Sequence, residues 1–464
     1  GWTQLGRIEY AVAGGRINTD FIDNSAGVDT SDHEVNIKIL LAPEVVSGEL
    51  GLEQRNELLA SMTDEVAELV LAHNVNQNLA LSNSMYRGTA LTSAYEGWMH
   101  ALEEAGYLDR EIEFLPTARQ LETRRDAGRG LTRPELATLL AWTKIYLTDQ
   151  VLASDLPDDP YLADRLIQYF PKELQDRYAA DMPKHRLARE IITTVAVNRF
   201  VDSQGITAYH RLHNETNAAV TDVIRAQLAA RSIYQVGRSE VDLGRASELS
   251  APVVTELRVA LRRMVERATR WLLANRRAPL DIVAATAQFT DGVREVRAGL
   301  GSLLTPRQAA NANRHLERMT AHGVPRPLAE EVAQDAYSHF ALTIVEIAQA
   351  RKAPVMTVAE IAFVLADRLG LDQLHDTIVA LPQHDRWDTM ARAALRDDLL
   401  SVHGELTSAV LVDPARPGAE QVEEWLGRTP NLADKVATLT LVCEDPDIAK
   451  VSVGVRLVRS LLPA

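Results

Sequence analysis

The chain has 464 residues, 46% of them hydrophobic, so it can bury sizeable cores, and the length prior allows two to four domains. Its 64 acidic residues against 49 basic ones leave a net charge of −15, which repels a phosphate backbone and makes nucleic acid a poor partner. The single cysteine, Cys443, excludes an internal disulfide and a four-thiolate zinc site, fits a reducing compartment, and reads as a small buried hydrophobe.

The chain opens on Gly1-Trp2 with strand-like sequence close behind, and is expected to be a piece of a longer polypeptide. Ile8, Tyr10 and Val12 alternate with polar or small residues, Gly14-Gly15 interrupts, and Ile17, Thr19 and Phe21 alternate again. This pattern predicts two short strands joined by a glycine turn. A polar elbow follows, in which Ser31 and Glu34 have the spacing of a helix-capping box. Val35 to Leu41 reads as a short helical segment closed by Pro43 and Gly48.

Beyond the elbow every element is predicted to be helical. Leu58, Leu59, Met62, Val66, Leu69, Val70 and His73 recur at three- and four-residue spacing, the mark of one buried face. Thr132 with Glu135, and Thr357 with Glu360, have capping-box spacing, and Thr305-Pro306 places a cap before a first-turn proline. Gly106, Gly205 and Gly370 are expected helix stops. Residues 154–160, 236–252 and 412–420 read as loops or joints. No apolar run approaches the roughly 18 residues a membrane span requires, so neither a membrane nor a compartment other than the cytoplasm is expected.

The elbow also has a functional reading. A strand ending in small residues before a helix N-terminus leaves backbone N–H groups and the Ser31 hydroxyl free for a carboxylate. Ala26-Gly27 would let a flat ring approach the backbone, and Asn24 can donate and accept at the same edge. "DFIDNSAGVDTSDHE" resembles the D-F-x-x-N-A-G-G-V-x-x-S-x-x-E signature near the end of the nucleotide-binding domain of glutamate dehydrogenases. The longer "GGRINTDFIDNSAGVDTSDHEVNIKILL" is similar to the very large bacterial NAD-dependent class, as is "LTRPELATLLAWTKIYL" at 131–147. Ser25 and Ala26 depart from the signature's alanine and glycine.

The resemblance implies that Ser31, with Gly27 and Val28, binds the side-chain carboxylate of glutamate, and that Asn24 lies beside the nicotinamide of NAD. It implies reversible conversion of L-glutamate to 2-oxoglutarate and ammonium by a homo-oligomer. The fold expected is mainly α: the last strands and elbow of a Rossmann-type α/β domain in residues 1–45, then an all-helical region in 46–464 with a joint near 236–252. No G-x-G-x-x-G turn occurs in the chain, so the pyrophosphate site is assigned to sequence preceding Gly1; the resemblance implies a catalytic lysine and acid that also belong there, and no residue here is given a catalytic role.

No metal site is expected. His210 and His213 with Glu215 lack a third-ligand pattern, and the arginines of 261–277 read as a solvated helix face. Residues 357–371 read as ordinary helix pairing rather than a DNA-reading motif. The competing reading is a helical scaffold without catalysis, in which the elbow is only a capped helix.

Overall fold

The computed structural model describes residues 2–86, 88–245, 248–382 and 386–462, and among these every regular element is helical. The chain divides into two compact units, one formed by residues 1–213 and 218–225, the other by 214–217 and 226–464.

The first unit begins with α1 (Gln4–Val12), α2 (Asp20–Asp23), α3 (Ser25–Ser47), α4 (Leu52–Ser61) and α5 (Thr63–Tyr86). The two strands expected here are absent. Thr3 instead caps α1, its hydroxyl accepting from Gly6 N at 3.2 Å, and Gly14, at φ +95°, follows the helix end. A five-residue alternation is too short to separate a period of 2 from one of 3.6, and the local cap decides for helix. Ile8 is buried on this helix while Tyr10 and Val12 stay exposed.

The elbow is likewise a helix interior. Ser31 lies in the second turn of α3, and Glu34 pairs with Lys38 at 2.5 Å rather than reaching back, so the expected Ser31 box does not form. Helix α3 runs through Pro43 and ends at Gly48, which takes φ +83° as its left-handed cap. The periodic face of 53–81 is real but is split at Met62 between α4 and α5. Leu58, Met62 and Val70 are buried along it, and Leu59, Val66, Leu69 and His73 half-buried.

The unit continues with α6 (Thr92–Glu104), α7 (Ala118–Asp126), α8 (Arg133–Leu152), α9 (Ala163–Tyr169), α10 (Lys172–Tyr178) and α11 (Ala188–Gln204). Its core lies between α8 and α11, where Leu139, Leu140, Leu147, Val197, Phe200 and Val201 are all buried. Each such side chain contributes about 1.5–3 kcal/mol by leaving water. Thr132 and Glu135 form the expected box at the head of α8. The fully buried Glu135 carboxylate accepts from Thr132 N at 2.7 Å and from Arg124 at 2.8 Å.

In the second unit, the long helix Ile282–Leu303 packs against Ala341–Arg351 and Val355–Leu369, burying Phe289, Val293, Val296, Ile344, Val345 and Leu365. Thr305 caps Pro306–Ala321 as expected, and Gly370 ends Val355–Leu369 at φ +70°. Three expectations fail. Val236–Arg245 is a helix rather than a loop, although residues 246 and 247 of that stretch lie outside the described residues. Thr357 does not cap, because its helix begins at Val355, and the Glu360 carboxylate instead accepts from Gly418 N at 2.7 Å. Arg262 and Arg270 are buried rather than solvated. Cys443 is half-buried.

His403, buried in the second unit, donates to Ala362 O at 2.9 Å and stacks on Phe340 with ring centroids 4.1 Å apart. Burial lowers its pKa to about 4, the Ala362 bond opposing and the nearby His375 reinforcing that shift. An unfolded histidine takes its proton near about 6.5. Between these values the unfolded chain binds more protons than the folded one, so this group removes stability as pH falls through the window. The advantage of wild type over His403→Gln should therefore shrink by about 2 kcal/mol between about pH 7 and pH 5, measured by urea unfolding at each pH. Asp335, raised to about 6 chiefly by burial, acts in the opposite direction but is common to both proteins. A pH-independent difference would contradict the assignment.

Candidate functional site

The four residues singled out by the sequence share one side of α3. Asn24 is the residue immediately before the helix, and Gly27, Val28 and Ser31 follow at the three- and four-residue steps of a single stripe. All four are exposed, with Val28 at 65% and its stripe neighbour Val35 at 52%. Asn24 makes no side-chain cap bond, and its amide oxygen sits 2.9 Å from where a Cβ on Gly27 would stand. Glycine at 27 is what permits that approach. The Ser31 hydroxyl has only Gly27 O at 3.5 Å, the outer limit of a hydrogen bond, and so is free to donate elsewhere.

The backbone before the stripe is fixed by polar anchors. Arg7, almost wholly buried, pairs with Asp20 and donates to Asn18 O at 2.9 Å. Asn74 of α5 donates to Ile22 O and Ser25 Oγ, both at 2.7 Å. That contact gives a physical use to serine where the glutamate dehydrogenase signature has alanine. Arg133, at the head of α8, donates to Asn18 Oδ1, to Ser82 Oγ at 3.1 Å, and to Asn78 O and Oδ1 at 3.1 and 2.9 Å. Burial lowers its pKa, although a guanidinium remains charged. The two stretches that carry the sequence resemblance, 14–41 and 131–147, thus meet through Arg133 and Asn18.

The opposite side of α3 faces inward. His33 is fully buried, Asp29 lies one turn before it, and His73 of α5 meets Asp29 at 2.7 Å. The sequence reading missed this group because His73 lies 40 positions away from His33, and only the i, i+4 spacing of Asp29 and His33 was visible. His213 shares a hydrogen bond with Ala218 O at 3.0 Å, and Glu215 is bound to Arg270 and Arg396.

Comparison with known proteins decides the family. Residues 128–460 match the family described as "Glutamate dehydrogenase, C-terminal". The chain belongs to that glutamate dehydrogenase family. Residues 1–84, which contain the α3 stripe and all its anchors except Arg133, match "Bacterial NAD-glutamate dehydrogenase, catalytic domain". An NAD-specific glutamate dehydrogenase of Mycobacterium tuberculosis is 37% identical over 469 residues, covering 99% of this chain and 29% of the relative. Namesakes from Halomonas elongata and Pseudomonas aeruginosa are each 36% identical, covering 92% of this chain and 26% of their own length. The chain therefore spans less than a third of the curated glutamate dehydrogenases it matches. None of the helices among the described residues is long and apolar enough to cross a membrane.

Proposed function

We propose that this chain is the C-terminal part of a large NAD-dependent glutamate dehydrogenase, converting L-glutamate, NAD and water to 2-oxoglutarate, ammonium and NADH in the cytoplasm. The observation that carries the reading is the match of residues 1–84 to the catalytic domain of the bacterial enzymes. The exposed stripe of α3 would form one wall of the substrate site. Ser31 would donate its hydroxyl to the distal carboxylate of glutamate, with Gly27 and Val28 lining the same wall. Two exposed valines flanking a free hydroxyl suit a surface that is covered in the complete enzyme.

The chain fits one end of the dinucleotide only. Asn24 makes no side-chain cap bond and lies close over Gly27, a position suited to the nicotinamide edge, whereas the G-x-G-x-x-G turn for the pyrophosphate is absent from this sequence. When bound, NAD supplies the hydride acceptor; these residues supply position and hydrogen bonding. The end of the catalytic domain is assigned to residues 1–84, the span of the family match, rather than to 1–45, and the helices beyond it to oligomerisation or regulation.

Two measurements test the reading. The full-length protein carrying this chain should reduce NAD in a glutamate-dependent manner, and a full-length protein without that activity would overturn it. The isolated 464-residue chain should form no NADH above background, because it lacks the pyrophosphate turn. Turnover by the chain alone would contradict the division of labour.

A further inference from the structure

The inward face of α3 carries an arrangement that the dehydrogenase reaction does not use. His33 has no exposed surface, and neither Nδ1 nor Nε2 has a hydrogen-bond partner. An imidazole in that state leaves two polar atoms desolvated without a hydrogen bond, an unfavourable arrangement for each. Its ring is held between Tyr169, 4.3 Å away and nearly parallel, and His73, 5.8 Å away. Tyr169 is itself fixed by a 2.8 Å bond from Asn36, one turn further along α3.

One of the two unpartnered His33 nitrogens, Nε2, faces a carboxylate. Asp29 Oδ1 stands 3.9 Å from His33 Nε2, and Asp29 Oδ2 stands 2.7 Å from His73 Nδ1. One ligand atom from each of the three residues lies within 4.8 Å of the others. A tetrahedral ion with bonds of about 2.0–2.1 Å needs its ligand atoms roughly 3.3 Å apart. The two carboxylate–imidazole distances, one from each oxygen of Asp29, lie on either side of that value. Asp32 adds a further acid beside Asp29, and Asp202, paired with Lys144 at 2.8 Å, lies within electrostatic reach of His73.

We infer that Asp29, His33 and His73 form a binding site for a divalent first-row transition-metal ion of the zinc class, clamping α3 to α5 on the face opposite the Asn24–Ser31 stripe. Two imidazoles and one carboxylate are a donor set suited to such an ion, with a fourth position left for water. Magnesium and calcium, which take oxygen ligands, do not suit it.

The test uses metal-depleted full-length protein titrated with Zn²⁺ and with Co²⁺. Wild type should bind one equivalent more Zn²⁺ than His73→Ala or Asp29→Asn, or should bind that equivalent at least tenfold to a hundredfold more tightly. Co²⁺ should give visible ligand-field bands that both variants lose and that excess Mg²⁺ does not displace. Zn²⁺ should also raise the melting temperature of wild type more than that of either variant. His73 and Asp29 are partly exposed, so these variants spare the fully buried His33 and keep the test independent of a folding failure. Equal Zn²⁺ stoichiometry and affinity in wild type and both variants, with unchanged Co²⁺ spectra, would overturn the inference and leave His33 as a packed histidine.

Discussion

Glu215→Leu should lower the unfolding free energy of the second unit by about 3–5 kcal/mol, the cost of removing one partner from a buried ion-pair network. The Glu215 side chain is only 10% exposed and is bound by Arg270, with Arg396 at 3.3 Å. Burial alone would push its carboxyl up, but the two guanidinium charges more than offset that and hold it below its ordinary value. Arg270 also reaches Glu266 at 3.2 Å, so the substitution leaves the buried Arg270 and the half-buried Arg396 sharing fewer acids. Replacing Arg270 by methionine in the same background should recover part of the loss, because an apolar replacement of a whole buried pair is often tolerated. Guanidinium unfolding of the single and double variants checks this. A loss below about 1 kcal/mol for Glu215→Leu would show that the pair is effectively solvated.

Gly418→Val should cost about 3 kcal/mol, the upper end of the overpacking range. A Cβ built on this buried glycine would lie 2.6 Å from Thr357 O, a backbone atom that cannot swing aside, and 3.0 Å from Glu360 and Ile361. The same approach lets the Glu360 carboxylate cap the helix Gly418–Arg428 at its first N–H, where a negative charge is favoured. Gly427 on the same helix has open space around it, so Gly427→Ala should be neutral or stabilising by up to about 1 kcal/mol. Equal effects at the two glycines, read from denaturation midpoints, would contradict the packing argument.

Local chemistry was legible in the sequence and distant pairing was not. Thr132 with Glu135, and Thr305 before Pro306, form their caps within three residues, and no tertiary partner displaces them. Glu360 shows the converse: it has box spacing from Thr357, yet its partner lies 58 residues away. The N-terminal strands failed because a short alternation of Ile8, Tyr10 and Val12 carries no periodicity strong enough to resist a capped helix. The candidate site came through in composition but not in shape. Asn24, Gly27, Val28 and Ser31 were identifiable by signature, whereas their common helical stripe, the Arg133 anchor and the His33 cluster depend on contacts 40 to 115 positions apart.

The central claim is that the exposed stripe of α3 receives the distal carboxylate of glutamate. The most direct measurement is steady-state kinetics of the full-length Ser31→Ala enzyme with each substrate varied in turn. Loss of a hydrogen bond to a charged group should lower kcat/KM for glutamate by roughly tenfold to a hundredfold, about 1.5–3 kcal/mol, while KM for NAD stays near wild type. Unchanged glutamate kinetics would contradict the claim and return Ser31 to an ordinary solvated position on a helix.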